Sequence, residues 1–184
     1  MAEYPQELRT ERLLLRRWQE SDRAPFARLN TDSQAVRYLP KVLTREESDR
    51  FVDRVEAHFE QYDYGLWVAE IVGITPFAGF IGFAVPTYEA HFTPNVEIGW
   101  RLAPEYWGQG YATEGAQAVL DFGFKEIGLE EIVSITVPDN IASWRVMEKI
   151  GMTRELEGDF DHPFLPEDHP LRRHWLFRKY APPR

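Results

Sequence analysis

The chain of 184 residues contains no cysteine. This absence excludes disulfide bonds, thiolate metal sites and a cysteine nucleophile, and it fits a reducing compartment such as the cytosol. No apolar run approaches the ~20 residues needed to span a bilayer. The N-terminal segment 1–18 has no continuous apolar stretch after a basic start, so no secretory signal is expected. We therefore expect a cytoplasmic protein without a membrane partner.

Basic residues are in deficit, with 21 Lys and Arg against 30 Asp and Glu and a net charge of −9. Such a surface repels a nucleic-acid backbone, and no Lys/Arg-rich stripe offsets it, so we expect no nucleic-acid partner. The histidines show no H-x-x-x-H spacing, so no metal site is expected. The chain is 43% hydrophobic and 14% aromatic, which predicts one globular domain over residues 1–184.

Hydrophobic periodicity predicts an α/β fold with a mixed sheet, in the order β-α-α-β-β-β-α-β-α-β-β. The predicted strands are 12–18, 66–71, 78–85, 95–102, 130–137, 152–160 and 171–180, and the predicted helices are 20–30, 44–62, 112–124 and 139–152. Thr44 with Glu47 matches a capping box, and Ser21 or Asp22 can cap the first helix.

A glycine-rich turn, residues 103–115, precedes the third predicted helix. Consecutive free amides beside a helix N-terminus suit an anion, although an ordinary tight turn also explains Gly108 and Gly110. A P-loop is excluded because no Gly-Lys-Ser/Thr occurs. The dinucleotide fingerprint is excluded because Thr113 occupies the place of its last glycine.

Two blocks of sequence, VEIGWRLAPEYWGQGYATEGAQAVLDFGF (residues 96–124) and VPDNIASWRVMEKIGM (residues 137–152), carry a family resemblance. They resemble the GNAT family of acetyl-CoA-dependent N-acetyltransferases, and most of all its branch that acetylates ribosomal-protein N-termini. The resemblance implies the GNAT fold, acetyl-CoA as co-substrate without a metal, and an amine acceptor. That acceptor is a protein N-terminus or a small molecule. The resemblance is also compatible with a homodimer.

The family's loop pattern, Arg/Gln-x-x-Gly-x-Gly/Ala, falls on residues 107–112, with Trp107 in place of the usual polar residue. The resemblance implies that the amides of this loop bind the pyrophosphate of coenzyme A. The residues so implicated are Gly108, Gln109, Gly110, Tyr111, Ala112 and Thr113.

In the family, the strand before this loop carries a bulge and separates from its parallel neighbour, here residues 132–137. Pantetheine then adds to the exposed strand edge. The resemblance implies pantetheine contacts at Trp100, Arg101 and Leu102, and Gly99 is consistent with the bulge because glycine within a strand often marks one.

Amine acetylation by a thioester needs a group that accepts the amine proton and a donor for the leaving thiolate. Glu97 is the candidate base, and an ion pair with Arg101 is the alternative. Many GNAT members place a proton-donating tyrosine where this chain has Met147. The N-terminal acetyltransferase branch carries a serine one turn earlier, here Ser143, which the resemblance implies as the donor to the thiolate sulfur, with a polar residue of the first helical turn as the alternative. Asn140 is implied as a pantetheine ligand, with helix capping as the simpler explanation.

The absence of cysteine and of any placed nucleophile favours direct transfer in a ternary complex. A catalytically silent acyl-CoA binding or sensing module is the alternative, favoured by Met147 and opposed by Glu97 and Ser143. A hydrolase or NTPase that uses the glycine loop for a nucleotide lacks both a Walker lysine and a nucleophile. His162 is either a substrate contact or second base, or a solvated loop residue.

Overall fold

The computed structural model describes residues 4–183, so Met1, Ala2, Glu3 and Arg184 of the predicted domain lie outside the described residues. Residues 4–183 form one mixed sheet of eight strands and four α-helices. The strands are β1 (Leu8–Arg9), β2 (Leu13–Arg16), β3 (Leu66–Ile71), β4 (Thr75–Ala84), β5 (Glu97–Leu102), β6 (Glu131–Thr136), β7 (Thr153–Asp161) and β8 (Arg173–Tyr180). The helices are α1 (Arg23–Leu29), α2 (Arg45–Tyr62), α3 (Tyr111–Phe122) and α4 (Ile141–Lys149).

The strands are arranged in the order β1-β2-β3-β4-β5-β6-β8-β7. Neighbouring strands are antiparallel except β5 and β6, which are parallel. This mixed sheet confirms the predicted fold class. The element order is also as predicted, except for β1, a two-residue strand too short for hydrophobic periodicity to reveal. No helix within residues 4–183 combines the length and the apolar composition needed to cross a membrane.

Two predicted helix starts have different outcomes. Helix α2 begins with the capping box: the Glu47 amide donates to Thr44 Oγ1 at 3.2 Å, and the Thr44 amide donates to the Glu47 carboxylate at 2.9 Å. Ahead of α1, the Asp22 carboxylate does not cap the helix. It accepts hydrogen bonds from the Arg16 guanidinium at 2.8 and 3.0 Å, and so ties β2 to the start of α1.

The helices cover the sheet on both faces. Helices α1 and α2 lie on one face, where Phe26 and Phe51 contact the ring of Phe80 in β4. Helix α3 lies on the other face, so close to β4 that a Cβ added at Gly115 would lie 2.4 Å from Ile81. Helix α4 packs beside α3. Burial of apolar surface on both faces, worth roughly 25 cal/mol per Å², makes β4 the centre of the core.

The third predicted helix differs from expectation at its end. It begins at Tyr111, and at Gly123 it passes into a π-helical turn, Gly123–Ile127. The turn ends at Gly128, which has a φ of 78° and so stops the helix in the left-handed conformation. A Cβ added at Gly123 would lie 2.7 Å from the ring of Phe83, so the small residue allows the helix to approach the sheet closely here.

Candidate active site

Strands β5 and β6 are joined at one end and apart at the other. Glu97 of β5 is the Cα partner of Val133 of β6, and the Val133 amide donates to the Val96 carbonyl at 3.0 Å. One step further, the buried hydroxyl of Ser134 donates to the Ile98 carbonyl at 2.8 Å and takes the place of a main-chain bond. From there to the C-terminal end of β5, no further residue of β5 pairs with a residue of β6. The predicted separation of these strands is therefore present.

The predicted bulge at Gly99 is absent. Strand β5 pairs with β4 in unbroken register, with Gly99 opposite Gly82 and Leu102 opposite Gly79. The gap therefore arises because β6 diverges from β5, whereas β5 itself stays regular against β4.

The main-chain groups of β5 point alternately toward β4 and toward the gap. The Ile98 carbonyl faces β6, whereas the Ala103 amide donates to the Ala78 carbonyl beside β4 at 2.8 Å. Trp100 and Leu102 consequently face the gap, and the main chain of Arg101 faces β4. This placement corrects the expectation that the main chain of Arg101 contacts pantetheine.

The Trp107 side chain binds one of the main-chain groups of β5 that face the gap. Its indole Nε1 donates to the Leu102 carbonyl at 2.7 Å, although the side chain remains 44% exposed. The aromatic residue that replaces the family's usual polar one therefore ties the loop to the end of β5. Trp100 is left with both its amide and its carbonyl directed into the gap.

At the open end of the gap, an exposed loop leads into α3. Gly108 and Gly110 have φ values of 72° and 87°, as the turn prediction requires. The amides of residues 108–113 have no acceptor within the described part of the chain, and Gly110, the N-cap of α3, has no side chain that could supply one. The helix's first bond runs from Glu114 to the Gly110 carbonyl at 2.9 Å. Free amides together with the positive end of a helix can bind an anion.

The loop is held by residues that sequence reasoning missed. The Glu114 carboxylate accepts from the Thr10 hydroxyl at 2.6 Å, from the Arg12 amide at 2.8 Å and from Arg12 Nε at 2.7 Å. Arg12 also donates to the Gln109 carbonyl at 3.0 Å. These bonds fix the loop without using its amides. Because Arg12 and Glu114 are 102 positions apart, no local pattern could reveal the contact.

Glu97 lies at the closed end of the gap, and its side chain points to the face of α1 and α2. Burial raises the pKa of its carboxyl to about 7. Among residues 4–183 no side chain forms an ion pair with it, and the alternative pair with Arg101 is absent: Arg101 instead donates to Asn30 Oδ1 at 2.6 Å. An unpaired carboxylate with a pKa near neutrality can exchange protons at neutral pH.

The N-terminus of α4 forms the other side of the gap. Asn140 caps the helix, because its Oδ1 accepts from the Ser143 amide at 3.3 Å. The Asn140 Nδ2 group and the Ser143 hydroxyl have no partners among the described residues. Both residues line a cleft of about 300 Å³ together with Glu97, Trp100 and Met147. Met147 is 1% exposed and serves as core below the site.

A cluster of aromatic and histidine rings lies beside the cleft, and His174 of this cluster lines the cleft. The ring of His162 lies 4.6 Å from that of Tyr88 and 5.2 Å from that of His174, and burial lowers the pKa of both histidines. His162 is thus half-buried among these rings. The Tyr88 hydroxyl is buried without a partner within residues 4–183, and burial together with the charge of Glu97 raises its pKa.

The structure brings some of the predicted site residues together and leaves others apart. Glu97, Trp100, Arg101, Asn140 and Ser143 line one cleft. Leu102 and the loop residues Gly108, Gln109, Gly110, Tyr111, Ala112 and Thr113 lie outside that cleft, toward the open end of the gap. Within residues 4–183 no group of three or more His, Asp or Glu side chains is placed to hold a metal ion.

Comparison with known proteins gives the family of this fold and site. The family model of the acetyltransferase (GNAT) domain matches residues 12–153. The uncharacterized N-acetyltransferase YnaD of Bacillus subtilis (strain 168) is 37% identical over 149 residues, which are 79% of this chain and 82% of the relative. The crystal structure of a GNAT-family acetyltransferase from Bacillus anthracis has a TM-score of 0.77 and 31% identity, over 95% of this chain and 98% of that one.

The chain belongs to the GNAT acetyltransferase family, whose members are N-acetyltransferases that use acetyl-CoA. Its fold is also that of Mycobacterium smegmatis RimJ in complex with CoA-disulfide, with a TM-score of 0.73 over 92% of this chain and 82% of that one. The sequence identity to that structure is 23%, so the similarity shows the fold alone. The family is therefore established, whereas the ribosomal-protein branch remains a prediction.

Proposed function

We propose that this protein transfers the acetyl group of acetyl-CoA to a primary amine by direct attack within a ternary complex. The gap between β5 and β6 carries the proposal, because Glu97 lies at its closed end and the free amides of residues 108–113 lie at its open end. The gap therefore has a proton acceptor at one end and an anion site at the other. The acyl donor and the amine substrate would meet between them.

The acyl donor fits the free polar groups along this gap. The amides of residues 108–113 would bind its pyrophosphate, so that a protein with a net charge of −9 needs no cluster of basic side chains there. The amide and carbonyl of Trp100 would pair with the amide groups of pantetheine, as an added strand does at a sheet edge. Asn140 Nδ2 would donate a further hydrogen bond to the same arm.

The reaction is an aminolysis of the thioester. The amine nitrogen attacks the carbonyl carbon and forms the C–N bond, and the C–S bond breaks with its electron pair leaving on sulfur. Glu97 takes the proton that the nitrogen loses, directly or through water, and a pKa near 7 leaves much of it ionised at neutral pH. The Ser143 hydroxyl donates a hydrogen bond to the departing thiolate, which then takes a proton from water.

The test combines binding with turnover. Calorimetric titrations with acetyl-CoA, ATP and NAD should show binding of acetyl-CoA alone, and release of free thiol should follow when a panel of primary amines is added. Failure to bind coenzyme A would overturn the proposal. Binding of acetyl-CoA with no turnover on any amine would instead support a silent acyl-CoA binding module.

A further inference from the structure

Arg101 is an inward-facing cation that has no acidic partner among residues 4–183. Its guanidinium donates to Asn30 Oδ1 at 2.6 Å and lies 5.3 Å from the centre of the Phe80 ring. Neither contact carries a negative charge. Burial lowers the pKa of Arg101 to about 10, so the side chain is still charged at neutral pH.

Other inward-facing arginines in the sheet are neutralised by carboxylates. The ion pairs are Arg16 with Asp22 and Glu70 at 2.8 and 3.0 Å, and Arg178 with Glu131 and Glu155, both at 2.9 Å. A cation removed from water without a counter-charge costs several kcal/mol, which is why such pairing is the rule. Arg101 is the exception, and it lines the cleft of the candidate active site.

The amide of Asn30 positions the guanidinium without neutralising it. Asn30 is fully buried, and its Nδ2 donates to Ser48 Oγ at 2.9 Å, while Ser48 Oγ donates to the Thr44 carbonyl at 2.9 Å. This chain of bonds orients Asn30 Oδ1 toward Arg101. The remaining N–H groups of the guanidinium have no protein acceptor within the described residues, so they are available to a ligand.

Arg101 and Glu97 point to the same face of β5, and their Cα atoms are roughly 13 Å apart along the strand. Gly99 lies between them on that face, and a Cβ added there would meet no atom within 4 Å. The floor of the cleft is therefore open from the candidate base to the unpaired cation. A ligand along β5 can place an amine at Glu97 and an anionic group at Arg101.

We propose that Arg101 binds a carboxylate of the amine acceptor, so that the substrates are amines that also carry a carboxylate. This inference rests on the proposed function, because it assigns the acceptor of the same site. A guanidinium suits the task because its planar fork donates two parallel hydrogen bonds to a carboxylate. Purely cationic amines lack the group that would neutralise Arg101, and we expect them to be poor acceptors.

The test compares ω-amino acids of increasing chain length with their methyl esters. For Arg101→Met, KM for the amino acids should rise about 10- to 100-fold, the range for a lost hydrogen bond to a charged group. KM for the esters and the Kd of acetyl-CoA should not change. Arg101→Lys should recover part of the loss, and Arg28→Met, which removes an exposed charge from α1, should match the wild type.

Three results would overturn the proposal. An equal rise in KM for acids and esters would assign Arg101 a structural role. A loss of acetyl-CoA affinity would assign its charge to the acyl donor. Preference of the wild type for esters or polyamines over every ω-amino acid would exclude a carboxylate-bearing acceptor, while thiol release from those other amines would leave the proposed function intact.

A second variant keeps the test valid if Arg101→Met fails to fold. Asn30→Asp places a carboxylate beside the Arg101 guanidinium and supplies the missing counter-charge from within the protein. Calorimetry with coenzyme A present measures binding without turnover. It should then show weaker binding of the best ω-amino acid and unchanged binding of its methyl ester. Binding equal to that of the wild type would overturn the proposal.

Discussion

Glu97 and Val133 are the partners at which β5 and β6 meet, and the strands diverge from that point toward the end of β5. A carboxylate whose pKa is raised to about 7 therefore lies where the gap closes, while the glycine loop lies where it opens. A ligand that fills the gap must pass both.

The glycine loop should be sensitive to a side chain at Gly108. Gly108→Ala forces a Cβ onto a residue with φ 72°, although no atom lies within 4 Å of it. We expect the strain to reshape the loop and to raise the Kd of acetyl-CoA about tenfold. Gly73→Ala is the matched control, since Gly73 has φ 75°, equal space and a position in the β3–β4 turn. Both should lose about 1 kcal/mol of stability, and equal acetyl-CoA affinity in the two variants would contradict the assignment of the loop.

Substitutions of Asn140 should separate capping from ligand binding. Asn140→Asp keeps an oxygen for the Ser143 amide but removes the Nδ2 donor, so the melting temperature should hold while acetyl-CoA binds more weakly. Asn140→Ala removes both functions and should also lose about 1 kcal/mol of stability. Thermal melts and calorimetry measure the two effects. If Asn140→Asp binds acetyl-CoA as the wild type does, Asn140 is only a cap.

Gly99 should matter to the acceptor and not to the fold. Gly99→Ala adds a methyl group to the open floor of the cleft without a clash in the protein. We expect a raised KM for the amine, an unchanged Kd for acetyl-CoA and an unchanged melting temperature. An alanine at Gly79, where a Cβ would lie 2.0 Å from the Arg101 carbonyl, should instead destabilise the fold severely. A fall in acetyl-CoA affinity for Gly99→Ala would place the donor, and not the acceptor, on this face.

The raised pKa of Glu97 predicts a stability cost that depends on pH. The unfolded chain ionises near the ordinary value of 4.5, whereas the folded protein keeps the proton up to about pH 7. The folded state binds more protons in that interval, so the free energy of unfolding falls as pH rises through it. Each unit of pKa shift corresponds to about 1.4 kcal/mol.

Glu97→Gln removes this cost. In urea unfolding, the stability of the variant relative to the wild type should grow from pH 4.5 to pH 7, by up to about 3 kcal/mol, and then stay constant. Glu148→Gln, on the exposed face of α4, should show no such trend. A difference for Glu97→Gln that does not vary with pH would mean that the carboxyl is not desolvated.

Features that depend on neighbouring residues could be predicted from the sequence. The Thr44–Glu47 capping box, the β3–β4 hairpin and the positive φ values of Gly108 and Gly110 follow from local chemistry. Strand alternation also predicts that the Glu97 side chain lies on the face opposite Val96 and Ile98, whereas the partner strand across the gap comes from the family resemblance.

Features that depend on distant contacts could not be predicted. Arg101 meets Asn30 across 71 positions, and no pattern in the sequence favours that amide over Glu97 on the same strand face. The small residue at Gly99 suits a bulge or an open floor equally well, and only the register with β4 decides between them. Tyr88 approaches Glu97 from a connection without regular structure, where periodicity gives no direction.

The pH dependence of acetyl transfer tests the central claim most directly. For wild type and Glu97→Gln, kcat/KM for one amine should be measured from pH 5.5 to pH 9. Because both enzymes use the same amine, the titration of the amine cancels in the ratio of the two kcat/KM values. The ratio of wild type to variant should rise through about pH 7 and reach at least about 100, the lower range for a general base. A ratio near one at every pH would contradict the role of Glu97 as the group that takes the proton.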